Sequence, residues 1–176
     1  MMYKNIFGSI RQWGFLVKDL DASLESWVKQ LGVGPWWGYR DVRLTSDFQN
    51  QTTEVVIDVA LGYQNGVQIE LIQQKNDARS PYRAFYDTPQ PQVLQQFGYL
   101  VPDIDLAIAQ GKAAGLREFG QVRNDFARYV YLQAPIFNGM VVELMLADPH
   151  TLAEYERCAK EAAAWDGRDP YRWIGT

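Results

Sequence analysis

The sequence predicts an α+β fold made of two copies of one strand–helix–strands unit, followed by a C-terminal helix. Three observations carry this reading. The stretch IRQWGFLVKDLD, Ile10 to Asp21, returns as LQQFGYLVPDID, Leu94 to Asp105. Each copy runs from an apolar strand-like stretch into aspartates of the kind that start helices. Each half then ends in an apolar run holding a single Glu, VQIELI around Glu70 and VVELML around Glu143. Gln12/Gln96, Gly14/Gly98, Leu16/Leu100, Val17/Val101, Asp19/Asp103 and Asp21/Asp105 are identical pairs between the copies. Such an internal repeat constrains the architecture before any single element is assigned.

The elements follow in order. Gln12–Val17 reads as the first strand, and Asp19 or Asp21 as the N-cap of a helix. Leu24, Trp27, Val28 and Leu31 mark its apolar face, and Gly32 fits the left-handed position just past its end. In VVIDVALGYQNGVQIELIQQ two apolar runs flank Asn65-Gly66, a strong short hairpin signal. A two-residue turn there pairs Gln64 with Val67 and sets Leu61 opposite Glu70. Alternation then places Val55, Ile57, Val59, Leu61 and Tyr63 on one face with Gln68, Glu70 and Ile72. Ala60, Val67, Ile69 and Leu71 turn to the other face to receive the helix. Glu70 therefore projects from an otherwise apolar wall. Ile57, Val59, Leu61, Tyr63 and Gln68 become the expected substrate-binding residues, since small-molecule sites are mostly apolar with few polar groups.

The polar, proline-bearing stretch KNDARSPYRAFYDTPQPQ reads as a connector. The second copy has Asp103 or Asp105 as N-cap, apolar positions Ile104, Ala107 and Ile108, and a stop near Gly115. ARYVYLQ and MVVELML follow as strands around the loop APIFNG. Thr151 to about Trp165 is the closing helix, with Leu152, Tyr155, Cys158, Ala159 and Ala162 on one face. Thr151 and Glu154 have capping-box spacing.

Composition narrows the function. The chain has 176 residues, net charge −4 and no Lys/Arg run, which argues against a nucleic-acid groove or an anionic membrane surface as partner. Aromatic residues reach 14%, enough for a large core and an aromatic-lined pocket. Cys158 is the only cysteine, so no internal disulfide forms and a reducing, cytoplasmic setting is expected. The N-terminal stretch, with Lys4, Arg11 and Lys18, has no apolar run of signal or membrane length. Gly32-Val33-Gly34 follows a helix and lacks dinucleotide-binding spacing, so no nucleotide or flavin is expected. A buried Glu in a strand needs a partner or a metal.

These openings and the Glu late in each half resemble the vicinal oxygen chelate superfamily, which includes glyoxalase I, methylmalonyl-CoA epimerase, extradiol dioxygenases and bleomycin-resistance proteins. The similarity runs from about Ile10 to Leu146. GFLVKDLDASLESWVKQLGVGP and VQIELIQQKNDA are similar to the methylmalonyl-CoA epimerase-like branch. The resemblance implies one domain over 1–176, with tandem βαβββ modules at 8–74 and 93–147 and a connector at 75–92. The modules form a curved mixed or antiparallel sheet around a central cleft, and 148–176 forms the C-terminal helix and tail.

The resemblance further implies a metal held by Gln12, Glu70, Gln96 and Glu143. Both starting positions depart from the superfamily's usual His, although Gln occurs there in some glyoxalases. His150, the single His, is expected in a solvated loop, so an iron site built on imidazoles is not expected. Two carboxylates with two amide oxygens suit Mg²⁺, Mn²⁺ or Ca²⁺ better than Zn²⁺ or iron. The implied reaction is that of an isomerase, epimerase or lyase beside a substrate carbonyl, with Glu143 as first choice of base and Glu70 as second. A small-molecule substrate and a homodimer are the expected partners.

Two other readings stay open. The Gln and Glu residues could satisfy one another in a polar network within a metal-free protein that sequesters an apolar or aromatic compound. A structural or partner-binding remnant ranks last, because both interior Glu residues persist. Trp36-Trp37 is expected in the core or at a dimer contact, and the tail DGRDPYRWIGT on a neighbouring subunit.

Overall fold

The structure, a computed structural model, describes residues 5–175; Lys4 lies outside them. The first half runs β1 (Gln12–Val17), α1 (Leu20–Leu31), β2 (Trp36–Phe48), β3 (Gln51–Gln64) and β4 (Val67–Gln74). The second runs β5 (Gln92–Val101), α2 (Ile104–Ala113), β6 (Arg117–Arg123), β7 (Arg128–Gln133) and β8 (Val141–Leu146). α3 (Pro149–Ala163) and a short β9 (Tyr171–Trp173) follow.

The strands lie in the order β3-β4-β1-β5-β8-β7-β6-β2-β9, and β2 also pairs with β3. The first eight strands therefore close into a barrel-like sheet. β1 pairs in parallel with β4, and β5 with β8, while β1 and β5 run antiparallel and join the halves. Parallel neighbours need a crossover, and α1 and α2 lie on those connections. The second seam is short, since β2 meets β6 only through Thr45, Ser46 and Asp47.

The helices start and stop as their sequences dictate. Asp19 accepts from the Ala22 amide and Asp103 from the Leu106 amide, each at 2.9 Å. Gly32 ends α1 at φ 64°, where a side chain would be strained. Leu20 and Leu24 pack on Ala60, Ile69 and Leu71 outside the barrel, and Ile104 and Ala107 pack on Leu132 and Leu144. Inside it, Leu16, Leu44, Val55, Ile57 and Ile72 form a second apolar layer with Tyr82 and Phe85 of the connector. The connector thus covers one end of the barrel. α3 covers the other, where Tyr155 and Cys158 pack on Trp37 and Tyr63.

The hairpin register agrees with the sequence reading, with Gln64 opposite Val67 and Leu61 opposite Glu70. Several details differ. α3 begins at Pro149, ahead of the Thr151 capping box, because Asp148 accepts from the His150 and Thr151 amides at 2.8 and 2.9 Å. His150 therefore lies in the first helical turn rather than in a loop. Leu31 is exposed, since it ends α1 where the chain turns away at Gly32. Trp36 and Trp37 are both buried within the chain. The tail pairs with its own β2, which sets Tyr171 beside Trp36, Arg172 beside Trp37 and Trp173 beside Gly38.

Candidate active site

Gln12 and Gln96 come together because β1 and β5 pair antiparallel about the join between the halves. Gln12 stands opposite Gly98, and Gln96 opposite Gly14. Each glutamine lies over the glycine of the other copy. A Cβ on Gly14 would sit 2.2 Å from Gln96 Cγ, and one on Gly98 would sit 2.8 Å from Gln12 Oε1. At Gly14 no side chain fits without displacing Gln96, and at Gly98 the ends of both Gln12 and Met145 would have to shift. The repeated Gln-x-Gly spacing is therefore a packing requirement of this crossing.

The adjoining strands supply the carboxylates. Glu70 is level with Gly14, and Glu143 with Gly98. Gln96 is fully buried and its Nε2 donates to Glu70 Oε2 at 2.8 Å and to Glu143 Oε2 at 3.2 Å. One amide thus bridges two acids. Burial pushes the Glu70 carboxyl up to about 7, against the opposing effect of the Gln96 hydrogen bond. Burial, and then the charge of Glu70, pushes Glu143 well above the usual carboxylate range. Two carboxylates in such a setting hold a proton between them near neutral pH.

Tyr131 stands opposite Glu143 in the sheet, and its hydroxyl lies 2.7 Å from that of Tyr82. Both tyrosines are buried, and burial with the nearby Glu143 charge raises their hydroxyls well above the ordinary value. They remain protonated donors at any ordinary pH. A cavity of about 80 Å³ opens in front of these groups, walled by Val42, Leu44, Ile57, Val59 and Ile72. Asn124 and Tyr129 complete it with Tyr82, Tyr131, Glu70 and Glu143. Asn124 is exposed, so the mouth lies at the tip of the β6–β7 hairpin, beyond the short β2–β6 seam.

The structure therefore brings Glu70, Glu143 and Gln96 together, with Ile57 and Val59 on the cavity wall. Gln12 is buried beside them, but its Nε2 donates to Gln68 Oε1 at 2.7 Å. Gln68 in turn donates to the Tyr63 hydroxyl, beneath α3. Leu61, Tyr63 and Gln68 do not line the cavity, although they share the inner face with Ile57 and Val59. The four residue steps from Ile57 to Leu61 carry the strand about 14 Å along the barrel. α3 fills that end of the face. Sequence reasoning misses Val42 and Leu44, because it does not resolve β2 as a strand, and misses Tyr82 in the connector. Tyr131 is legible in principle: alternation in ARYVYLQ gives Tyr129 and Tyr131 a common face.

The donor chemistry bears on a metal. Gln12 Oε1 and Gln96 Oε1 are both buried acceptors without a donor. A cation is one way to satisfy such oxygens. Gln96 directs Nε2 at the carboxylates, and a half-turn of its amide would direct Oε1 there instead. Among the described residues no three His, Cys, Asp or Glu side chains cluster in a way that could hold a metal. Any cation must therefore rely on the amides as well as on Glu70 and Glu143, and this set fits a hard divalent ion.

The sequence profile of the Glyoxalase/Bleomycin resistance protein/Dioxygenase superfamily matches residues 11–132. No curated protein gives a significant sequence match. Among solved structures, methylmalonyl-CoA epimerase from Mycobacterium tuberculosis is similar with TM-score 0.59 at 21% identity, covering 87% of this chain and 97% of that one. A hypothetical protein from Bacillus halodurans gives TM-score 0.56 at 16% identity, covering 80% and 94%. A variant of Streptomyces coelicolor methylmalonyl-CoA epimerase in complex with 2-nitronate-propionyl-CoA gives 0.51 at 16%, covering 80% and 95%. At these identities the structural likeness speaks for the fold, and the profile match for the family. With its closed mixed sheet and paired Gln-x-Gly crossing, the chain belongs to the glyoxalase/bleomycin resistance/dioxygenase superfamily, also known as the vicinal oxygen chelate superfamily.

Proposed function

We propose that this protein is an isomerase or epimerase that moves a proton at the carbon beside a substrate carbonyl. The observation that carries the reading is the buried pair of carboxylates bridged by Gln96 at the edge of an apolar cavity. Enolisation needs a base to remove the α-proton and an acid to return one. A carboxylate pair holding one proton supplies both. Glu143 is the less exposed member, and burial with the Glu70 charge pushes its carboxyl up, so we assign the shared proton to Glu143 and the base to Glu70; in the reverse direction the roles exchange. This ordering differs from the sequence expectation, which ranks Glu143 first as base. The Tyr82 and Tyr131 hydroxyls share one hydrogen between them, and the other hydrogen of the pair is the one offered to an oxyanion. Ile57, Val59 and Ile72 exclude water from the carbanion.

Gln12, Gln96, Glu70 and Glu143 would hold a metal in place of the shared proton. A hard divalent ion there would supply Lewis acidity beside the carbonyl, in the role the protonated carboxyl otherwise takes. The fold neighbours that are methylmalonyl-CoA epimerases lend support to the reaction class. A single domain closing one cleft, a soluble cytoplasmic setting and a homodimer belong to the same proposal. Among the described residues, no helix is long and apolar enough to cross a membrane.

The test is solvent deuterium uptake at the α-carbon of 2-methylacyl thioesters, followed by NMR with and without added Mg²⁺ or Mn²⁺. Uptake by the native protein, lost in Glu70→Gln and Glu143→Gln with the circular dichroism spectrum unchanged, is the expected result. Absence of uptake with every thioester and metal tried would reject the enzyme reading. A second reading, a metal-free binding protein, is favoured by the apolar walls and would then be pursued by ligand-induced thermal stabilisation.

A further inference from the structure

The charges around the cavity say which kind of carbonyl compound it accepts. Glu70 and Glu143 both face it, and no Lys, Arg or His is among the described residues lining it. The nearest elements keep their cations for other partners. Arg40 and Lys75 bind Asp58 at 2.9 Å, Arg123 pairs with Asp47, and Arg128 with Asp105. The remaining polar groups at the wall are three tyrosines and Asn124, all neutral.

We infer that the cavity is selective for a small neutral aliphatic carbonyl group and excludes ligands that place a carboxylate inside it. The inference deepens the proposed function by naming its substrate class and rests on that reading for the site, though its test needs no turnover. Burying a further full negative charge beside the pair costs like-charge repulsion and desolvation, with no cationic side chain among the lining residues to offset either. The neutral group loses only its hydration, which Tyr131, Tyr82 and Asn124 can replace. Rejection of this kind is specificity by an unfavourable competitor rather than by a better fit. The volume of about 80 Å³ favours a short branched acyl group as the occupant.

The experiment compares isobutyramide with isobutyrate, which have nearly the same shape and differ in charge at pH 7.5. Each is titrated by NMR into chelator-treated full-length protein. The amide is expected to bind at least about tenfold tighter than the anion. In the double variant Glu70→Gln/Glu143→Gln the gap should narrow to within a few-fold, through tighter binding of the anion. Equal or tighter binding of isobutyrate by the native protein would overturn the inference, as would failure of the amide to bind at all. Amide preference without any α-deuterium uptake would instead leave the selectivity standing and reject the enzyme reading.

Discussion

Replacing Gly14 by Ala tests the glutamine–glycine crossing most directly. The new methyl would lie 2.2 Å from Gln96 Cγ and 2.7 Å from both Cδ and Nε2. Such distances leave no room for small adjustments, and Cγ is not the free end of a flexible chain. Gln96 must leave its place, and with it go the hydrogen bonds to Glu70 and Glu143. Overpacking alone costs about 1–3 kcal/mol. Loss of hydrogen bonds to charged partners adds about 1.5–3 kcal/mol. We expect a destabilisation of about 3–5 kcal/mol, measured by urea unfolding at constant m value. The double variant Gly14→Ala/Gln96→Ala removes the obstructed side chain and should recover part of this cost, a coupling of at least about 1 kcal/mol. A Gly14→Ala cost below about 1 kcal/mol, or strict additivity in the cycle, would refute the packing argument.

Three more perturbations probe the carboxylates and the docking of α3. Because burial raises Glu70 to about 7, its contribution to stability is fully present below the unfolded carboxyl value and is lost as pH rises from there through about 7. Glu70→Gln should thus be more stable than the native protein at pH 8, by about 1–2 kcal/mol, and nearly equal to it at pH 4, as read from melting temperatures. Asp58 is buried, yet the Asp41 amide, Lys75 and Arg40 outweigh that burial and hold its carboxyl below the usual value. Its stabilisation is therefore present above the unfolded value near 4 and is lost on acidification below it. Asp58→Asn should cost about 2–3 kcal/mol at pH 7 by urea unfolding, somewhat below the usual penalty for a fully buried pair because Arg40 and Lys75 are partly exposed. The Tyr155 hydroxyl accepts from the Gln68 amide at 3.1 Å and has the Arg11 and Gly66 carbonyls within donating distance, at 2.5 and 2.9 Å. Tyr155→Phe should lower stability by about 1–2 kcal/mol, with loosened α3 docking visible as faster amide exchange in that helix.

Local rules and repetition account for the part of this protein that is legible from its residues. The Asn65-Gly66 turn sets the β3–β4 register, and alternation from it places Glu70 on the inner face with Ile57 and Val59. Asp19, Asp103 and Gly32 mark helix ends through backbone hydrogen bonds made within a few residues. The repeat pairs Gln12 with Gln96 and Glu70 with Glu143 as equivalent positions. β2 and β6 are not legible, since their alternation is broken by the Asp41 bulge and by few apolar residues.

Closure of the barrel selects which inner-face residues form the site. α3 and the connector cap opposite ends, so Tyr63 and Gln68 face a helix while Ile57 and Val59 face a cavity. The same closure brings Tyr82 from the connector against Tyr131, and it makes Gly14 and Gly98 the floor beneath the glutamines. Those relations cross between the halves, over distances along the chain that no local pattern encodes. Local chemistry can say that a carboxylate points inward; only the closing of the sheet says what it meets there.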